Sequence, residues 1–288
     1  MKKTLLAASI ACLTFNALAG LRQYNAPVES SDWQLKKASR LECTLAHPIP
    51  GYGEAMFTSM ASKQLNMEFE LDMMRLPDTY GIAAVYSVPP KWMPGEVQRS
   101  IADMNLRKQY NGDLPQKAAW IMLSELEKGF WPTIFYQDWY NDYDRVAVGL
   151  NASNFRPSYE DFSRCVANLL PYSFDDIAYT VLSYKKNSVE LTKYSQKRLS
   201  MIGEYLKEDK ELELVLLDGY SDSYGGRWNN LKLSERRANE VKDYFSNIGV
   251  ESDRIEVTAH GEKRHIAPNT NSASRAKNRR VVVRMAKP

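Results

Sequence analysis

The sequence predicts two domains: a mostly-β half, residues 20–173, followed by an α+β half, residues 174–288, built as a βαβαβ sheet with its helices on one side. Three observations predict it. The 288 residues exceed what one compact core usually needs. Up to Pro171 the apolar residues recur mainly with a period of two, the mark of half-buried strands. After Pro171, β-branched runs alternate with amphipathic stretches in the order strand, helix, strand, helix, strand, helix, strand.

The chain opens with Lys2 and Lys3, an apolar run, and Ala17-Leu18-Ala19 in the small-x-small form that signal peptidase accepts, so residues 1–19 read as a cleaved export signal. That run is too short to span a bilayer, and nothing later approaches the roughly 18 apolar residues a transmembrane segment needs. Cys12 falls inside the signal. An exported chain matures where thiols oxidise, so Cys43 and Cys165 are expected to form a disulfide, two buried unpaired thiols being the alternative.

In the first half, Leu65, Met67, Phe69, Leu71 and Met73 alternate with polar residues over Gln64 to Met74 and predict a strand. Gly81 to Val88 reads as another, stopped by Pro89-Pro90, and Arg145 to Leu150 alternates again. Helices are expected from Ala118 to Lys128, closed by Gly129, and from Ser158 towards Leu170. Trp92, Trp120, Trp131 and Trp139 are expected in the core.

In the second half, the run Ile177 to Tyr184 predicts a strand, and Ser188 is a candidate cap for a helix carrying Leu191, Leu199, Ile202 and Leu206 on one face. Leu212 to Leu217 reads as a buried strand. Ser234 then suits an N-cap for a helix from Glu235 to Ile248, whose Ala238, Val241, Phe245 and Ile248 recur at helical spacing before Gly249. Strands Arg254 to Thr258 and Val281 to Met285 close the domain, separated by a helical turn. The basic tract from Arg275 to Pro288 reads as a solvated helix end leading into the last strand.

The net charge of +3, with acids and bases mixed throughout, excludes a strongly basic nucleic-acid footprint. No CxxC or Cys/His spacing supports a metal site, and no cofactor is expected. His47, His260 and His265 come without H-E-x-x-H or a catalytic set, which argues against an enzyme. One local rule is broken. Arg236 and Arg237 fall in the first turn of the helix expected after Ser234, where the dipole disfavours cations. A guanidinium beside free backbone N–H groups suits a carboxylate, and Asp222, just after a buried strand, suits an ammonium. The two residues therefore describe a pocket for a zwitterion, or simply pair with each other.

The segment GYSDSYGGRWNNLKLSERRANE, Gly219 to Glu240, resembles the OmpA-like peptidoglycan-binding domain, with Gly219, Asp222, Gly225, Asn230, Leu233, Ser234, Arg237 and Ala238 in register and Ser221 where the family has Thr. IAPN (Ile266 to Asn269) and RAKNRRV (Arg275 to Val281) match its closing pattern. This resemblance implies peptidoglycan binding through the diaminopimelate of the peptide stem, with Asp222 on the ammonium and Arg237 on the carboxylate, and with Ser221, Asn230 and Leu233 as further site residues. Tyr220 stands where the family has His, and His265 where it has Pro. The stretches Ser39 to Ala61, Val88 to Glu96 and Pro171 to Lys185 resemble the MotY family, T-ring components of sodium-driven polar flagellar motors. That resemblance implies a periplasmic protein associated with the flagellar basal body and with MotX, helping to hold PomA/PomB stator units around the rotor. A peptidoglycan hydrolase and an outer-membrane-associated wall anchor are the alternative readings.

Overall fold

A computed structural model describes residues 20–141, 143–210 and 214–287. The expected export signal, and Leu212 of an expected strand, lie outside the described residues. The described residues divide into two compact units, one holding those from Gly20 to Gln34 with Leu45–Phe57 and Met67–Tyr159, the other Leu35–Thr44, Thr58–Asn66 and those from Glu160 to Lys287. This division departs from a single cut at 173/174. Ala61, Leu170 and Tyr172 are buried in the core of the second unit, and Cys43 is bonded to Cys165, with Cα atoms 6.0 Å apart, inside that same unit.

The β-rich part carries β1 (Leu21–Asn25), β2 (Gln34–Ala38), β3 (Glu42–Ile49), β4 (Gly53–Met60), β5 (Glu68–Met73), β6 (Gly81–Val88), β7 (Arg99–Leu106) and β8 (Gly112–Leu114). Helix α1 (Gln116–Glu127), strands β9 (Trp131–Gln137) and β10 (Arg145–Gly149), and helix α2 (Phe155–Ala167) follow. Two five-stranded sheets result, ordered β1-β10-β9-β6-β7 and β2-β3-β4-β5-β8. The alternation read in β5 holds for Phe69, Leu71 and Met73, all buried, but Leu65 is 59% exposed. Leu65 precedes the strand, in a turn that Asn66 fastens by accepting from the Met60 N–H at 2.8 Å and donating to the Met60 carbonyl at 2.9 Å.

The tryptophans expected in this core are not its centre. Trp92 is 58% exposed, and Trp120, Trp131 and Trp139 are only half-buried. Trp33, which has no periodic neighbourhood, is buried instead, stacked on His47 at 4.4 Å and edge-on to Phe155 at 4.8 Å. Helix α2 starts at Phe155, three residues before Ser158. His47 is structural: Nε2 accepts from the Asn151 N–H at 3.4 Å, so Nδ1 carries the proton and donates to the Asp32 carbonyl at 2.7 Å. Burial pushes its pKa down, which keeps the ring neutral.

The second unit contains β11 (Tyr179–Ser183), α3 (Lys193–Glu208), β12 (Leu214–Tyr220), α4 (Arg227–Asn247), β13 (Ile255–Gly261), α5 (Ser272–Asn278) and β14 (Arg280–Ala286). The element order is the one the sequence predicts. The sheet runs β11-β14-β12-β13, with β12 and β13 parallel and the other pairs antiparallel. The last strand of the chain is thus central, which accounts for its consecutive buried valines Val281, Val282 and Val283. Two capping expectations fail. Thr192 caps α3 by accepting from the Ser195 N–H, Ser188 lying four residues upstream. Helix α4 starts at Arg227, so Ser234 is inside it, donating back to the Leu231 carbonyl at 2.7 Å and accepting from the Gly261 N–H at 3.0 Å.

Helix α4 sits very close to β12. A Cβ added at Gly219 would come within 2.2 Å of the Ser234 carbonyl oxygen and 3.3 Å of the Ala238 Cβ. Gly219→Ala therefore has to push the helix off the sheet, at a cost of about 1–3 kcal/mol. The expected result is a lower thermal midpoint; an unchanged one would show that the helix yields without loss.

Candidate functional site

Strand β12 ends in Tyr220, and the chain turns through Ser221 and Asp222 to Gly225, at φ +109°, before α4 begins. Asp222 is 7% exposed. Its Oδ1 accepts from the Tyr224 N–H at 3.1 Å, and its Oδ2 accepts from Arg279 Nη1 at 2.9 Å. The partner of Asp222 is therefore Arg279, which lies in the tract expected to be a solvated helix end. Arg279 and Arg280 are 7% and 5% exposed. Arg280 opens the central strand β14 and Arg279 immediately precedes it, which brings Arg279 to Asp222 and Arg280 against Tyr220. The signal for Arg279 was present, since it stands within the RAKNRRV match.

Arg237 is not in a first helical turn. It lies in the third turn of α4, so the helix dipole does not act on it as expected. It is completely buried. Its Nε and Nη2 donate to the Ser188 carbonyl at 3.0 and 2.8 Å, its Nη1 donates to the Tyr220 carbonyl at 3.4 Å, and its guanidinium lies 4.9 Å from the centre of the Tyr184 ring. Desolvation, with the positive charge of Arg279 nearby, pulls its pKa down to about 10, against the opposing influence of Tyr184 and Asp222. It stays charged at neutral pH. Its hydrogen bonds all go to neutral carbonyls and rings, and no carboxylate of the described residues forms an ion pair with it. Asp222 and Arg237 share one neighbourhood but do not pair with each other; the positive charges of Arg279 and Arg236 act on Arg237 together with the one negative charge of Asp222, so positive charge is in surplus there.

The other expected residues divide. The Ser221 N–H donates to the Gly261 carbonyl at 2.8 Å, and its Oγ is buried with no hydrogen-bond partner among the described residues. Asn230 Nδ2 donates to Glu262 at 2.8 Å, joining α4 to the loop after β13. Leu233 is half-buried on α4, and its apolar side chain can grip neither charge of a zwitterion. IAPN and RAKNRRV meet: Asn278 Oδ1 accepts from the Ile266 and Ala267 N–H groups at 3.0 and 3.1 Å, while Asn269 Oδ1 accepts from Asn278 Nδ2 at 3.0 Å and from the Ser223 N–H at 3.3 Å. Tyr220 is buried between the His260 ring at 4.7 Å and the Arg280 guanidinium at 3.8 Å. Among the described residues no group of three or more His, Cys, Asp or Glu is arranged to hold a metal ion, and no helix is long and apolar enough to cross a membrane.

A four-stranded mixed sheet backed by helices, with a buried Asp and two arginines at its β12–α4 turn, defines the second unit as a domain of the OmpA class, and the OmpA family model matches residues 183–279. The MotY N-terminal domain model matches residues 24–171. The chain is 41% identical over 280 residues, 96% of its length and 95% of the relative's, to the sodium-type flagellar protein MotY of Vibrio parahaemolyticus. It belongs to the MotY family. Over 107 residues it is 33% identical to the peptidoglycan-associated lipoprotein of Pseudomonas putida, covering 37% of this chain and 63% of that one. The crystal structure of the peptidoglycan-associated lipoprotein from Burkholderia pseudomallei aligns at 26% identity and a TM-score of 0.35, covering 37% of this chain and 89% of that one.

Proposed function

We propose that this chain is a non-enzymatic periplasmic motor component, exported by residues 1–19, that ties a flagellar basal body to peptidoglycan. Residues 20–173 join the basal body and MotX, and residues 174–288 hold the wall. The T ring that results keeps PomA/PomB stator units around the rotor. The observation that carries this reading is the succession of a MotY N-terminal match and an OmpA match in one chain, with a relative named a sodium-type flagellar protein alike along nearly all of it.

In the wall-binding half, the ligand is the zwitterionic end of diaminopimelate. Its carboxylate answers the surplus positive charge at Arg237, its ammonium goes to Asp222, and the unpartnered Ser221 hydroxyl supplies a further hydrogen bond. For the carboxylate to reach Arg237, the Ser188 carbonyl must first give up the guanidinium, so the loop between β11 and α3 moves on binding.

Electron microscopy of basal bodies tests the proposal. Cells lacking this protein are expected to yield basal bodies without the periplasmic ring, and re-expression to restore it. An intact ring in its absence would refute the proposal.

A further inference from the structure

Among the exposed apolar side chains of the second unit, four belong to the Asp222 turn, to α4 just after it, or to the IAPN segment tied to that turn through Asn269. Trp228 is 70% exposed, Tyr224 64%, Ile266 62% and Leu231 42%. A cavity of 440 Å³ opens at two of them, Trp228 and Leu231, and is lined also by Arg227 at the start of α4 and by His260, Glu262 and Lys263 at and just after the end of β13. The Gly261 carbonyl in its wall accepts the N–H of Ser221, the residue before Asp222, so the cavity adjoins the charged cluster. An indole left on the first turn of a helix contributes little to the core, and apolar side chains grouped at a cavity mark a binding surface.

The charges in the cavity are unequal. Glu262 is engaged by Asn230 at 2.8 Å. The side chains of Arg227 and Lys263 have no ion-pair or hydrogen-bond partner among the described residues. The cavity thus offers a flat aromatic face with two uncommitted cations, which complements a ligand carrying an apolar ring face and a nearby carboxylate.

We infer that this cavity is a second peptidoglycan subsite, in which Trp228 receives the apolar face of an N-acetylated sugar and Arg227 and Lys263 receive the α-carboxylate of the γ-linked glutamate. The inference rests on the wall-binding reading above. In a stem ordered sugar, alanine, γ-glutamate, diaminopimelate, the glutamate carboxylate directly precedes the residue held at Asp222, and the sugar lies one alanine further. Adjoining subsites therefore suit neighbouring residues of the ligand.

Calorimetric titration of the full mature chain with two soluble probes tests it: the tripeptide alanyl-γ-glutamyl-diaminopimelate, and the same tripeptide on its disaccharide. The disaccharide probe is expected to bind about tenfold more tightly, a difference of roughly 1.4 kcal/mol. Trp228→Ala should abolish that difference and leave tripeptide affinity unchanged, whereas Arg227→Ala with Lys263→Ala should weaken both probes. Equal affinities in the unsubstituted protein would overturn the inference, as would a Trp228→Ala variant that keeps the difference or weakens both probes alike. Asp222→Ala separates the two levels. If it leaves tripeptide affinity intact, the wall-binding reading itself falls; if it removes tripeptide binding while Trp228→Ala changes nothing, only the subsite falls.

Discussion

Asp222→Ala and Arg237→Lys are each expected to lower affinity for diaminopimelate-type sacculi by about 30- to 150-fold. That range corresponds to about 2–3 kcal/mol, the loss when one partner of a charge-assisted hydrogen bond is removed and a ligand charge is left unpaired. Lysine cannot repair Arg237, because an ammonium does not reproduce the planar fork that now donates twice to the Ser188 carbonyl and, once released from it, can donate twice to a carboxylate. Both substitutions also disturb the fold. Without Asp222, Arg279 is left buried without its counter-charge, and breaking such a pair costs about 3–5 kcal/mol. Sedimentation with sacculi must therefore be measured well below the thermal midpoint and referred to the folded fraction.

Ser221→Ala separates binding from folding. Its hydroxyl is buried and already unpartnered, so its removal should leave the thermal midpoint equal or higher while wall binding falls. Full sacculus binding by Ser221→Ala together with folded Asp222→Ala would reduce the cluster to a structural ion pair.

The other large effect is in the disulfide. Cys43 and Cys165 are separated by 122 residues, and the chain-entropy account gives such a cross-link about 5 kcal/mol. That is a major part of the total stability of an ordinary domain, roughly 5–15 kcal/mol. Cys43→Ser or Cys165→Ser should therefore lower the steady-state level of the protein sharply, while the surviving folded molecules still bind sacculi. Thiol labelling of the denatured, unreduced mature protein should find no free thiol. Two labelled cysteines, or a thermal midpoint indifferent to reduction, would show that the bond contributes nothing in solution.

What the sequence determined by itself is whatever depends on neighbours along the chain. Alternation over Phe69, Leu71 and Met73 states which face of β5 is buried, Pro89-Pro90 ends β6, and the order of strands and helices after Pro171 follows from the change between two- and three-to-four-residue periods. The placing of Asp222 at the end of a buried strand was legible for the same reason. Only the tertiary structure decided who meets whom. Arg279 is 57 residues from Asp222 in sequence, and the two touch only because β14 inserts between β11 and β12. Trp33 becomes a core residue because His47 and Phe155 close around it. Ser234 looked like a cap because its hydroxyl can satisfy a helix end; the structure instead spends it between the Leu231 carbonyl and the Gly261 N–H inside a longer helix, and in doing so moves Arg237 from a helix terminus to a buried wall. A local pattern encodes a face and a period, whereas the partner of a buried charge is set by which elements the sheet brings side by side.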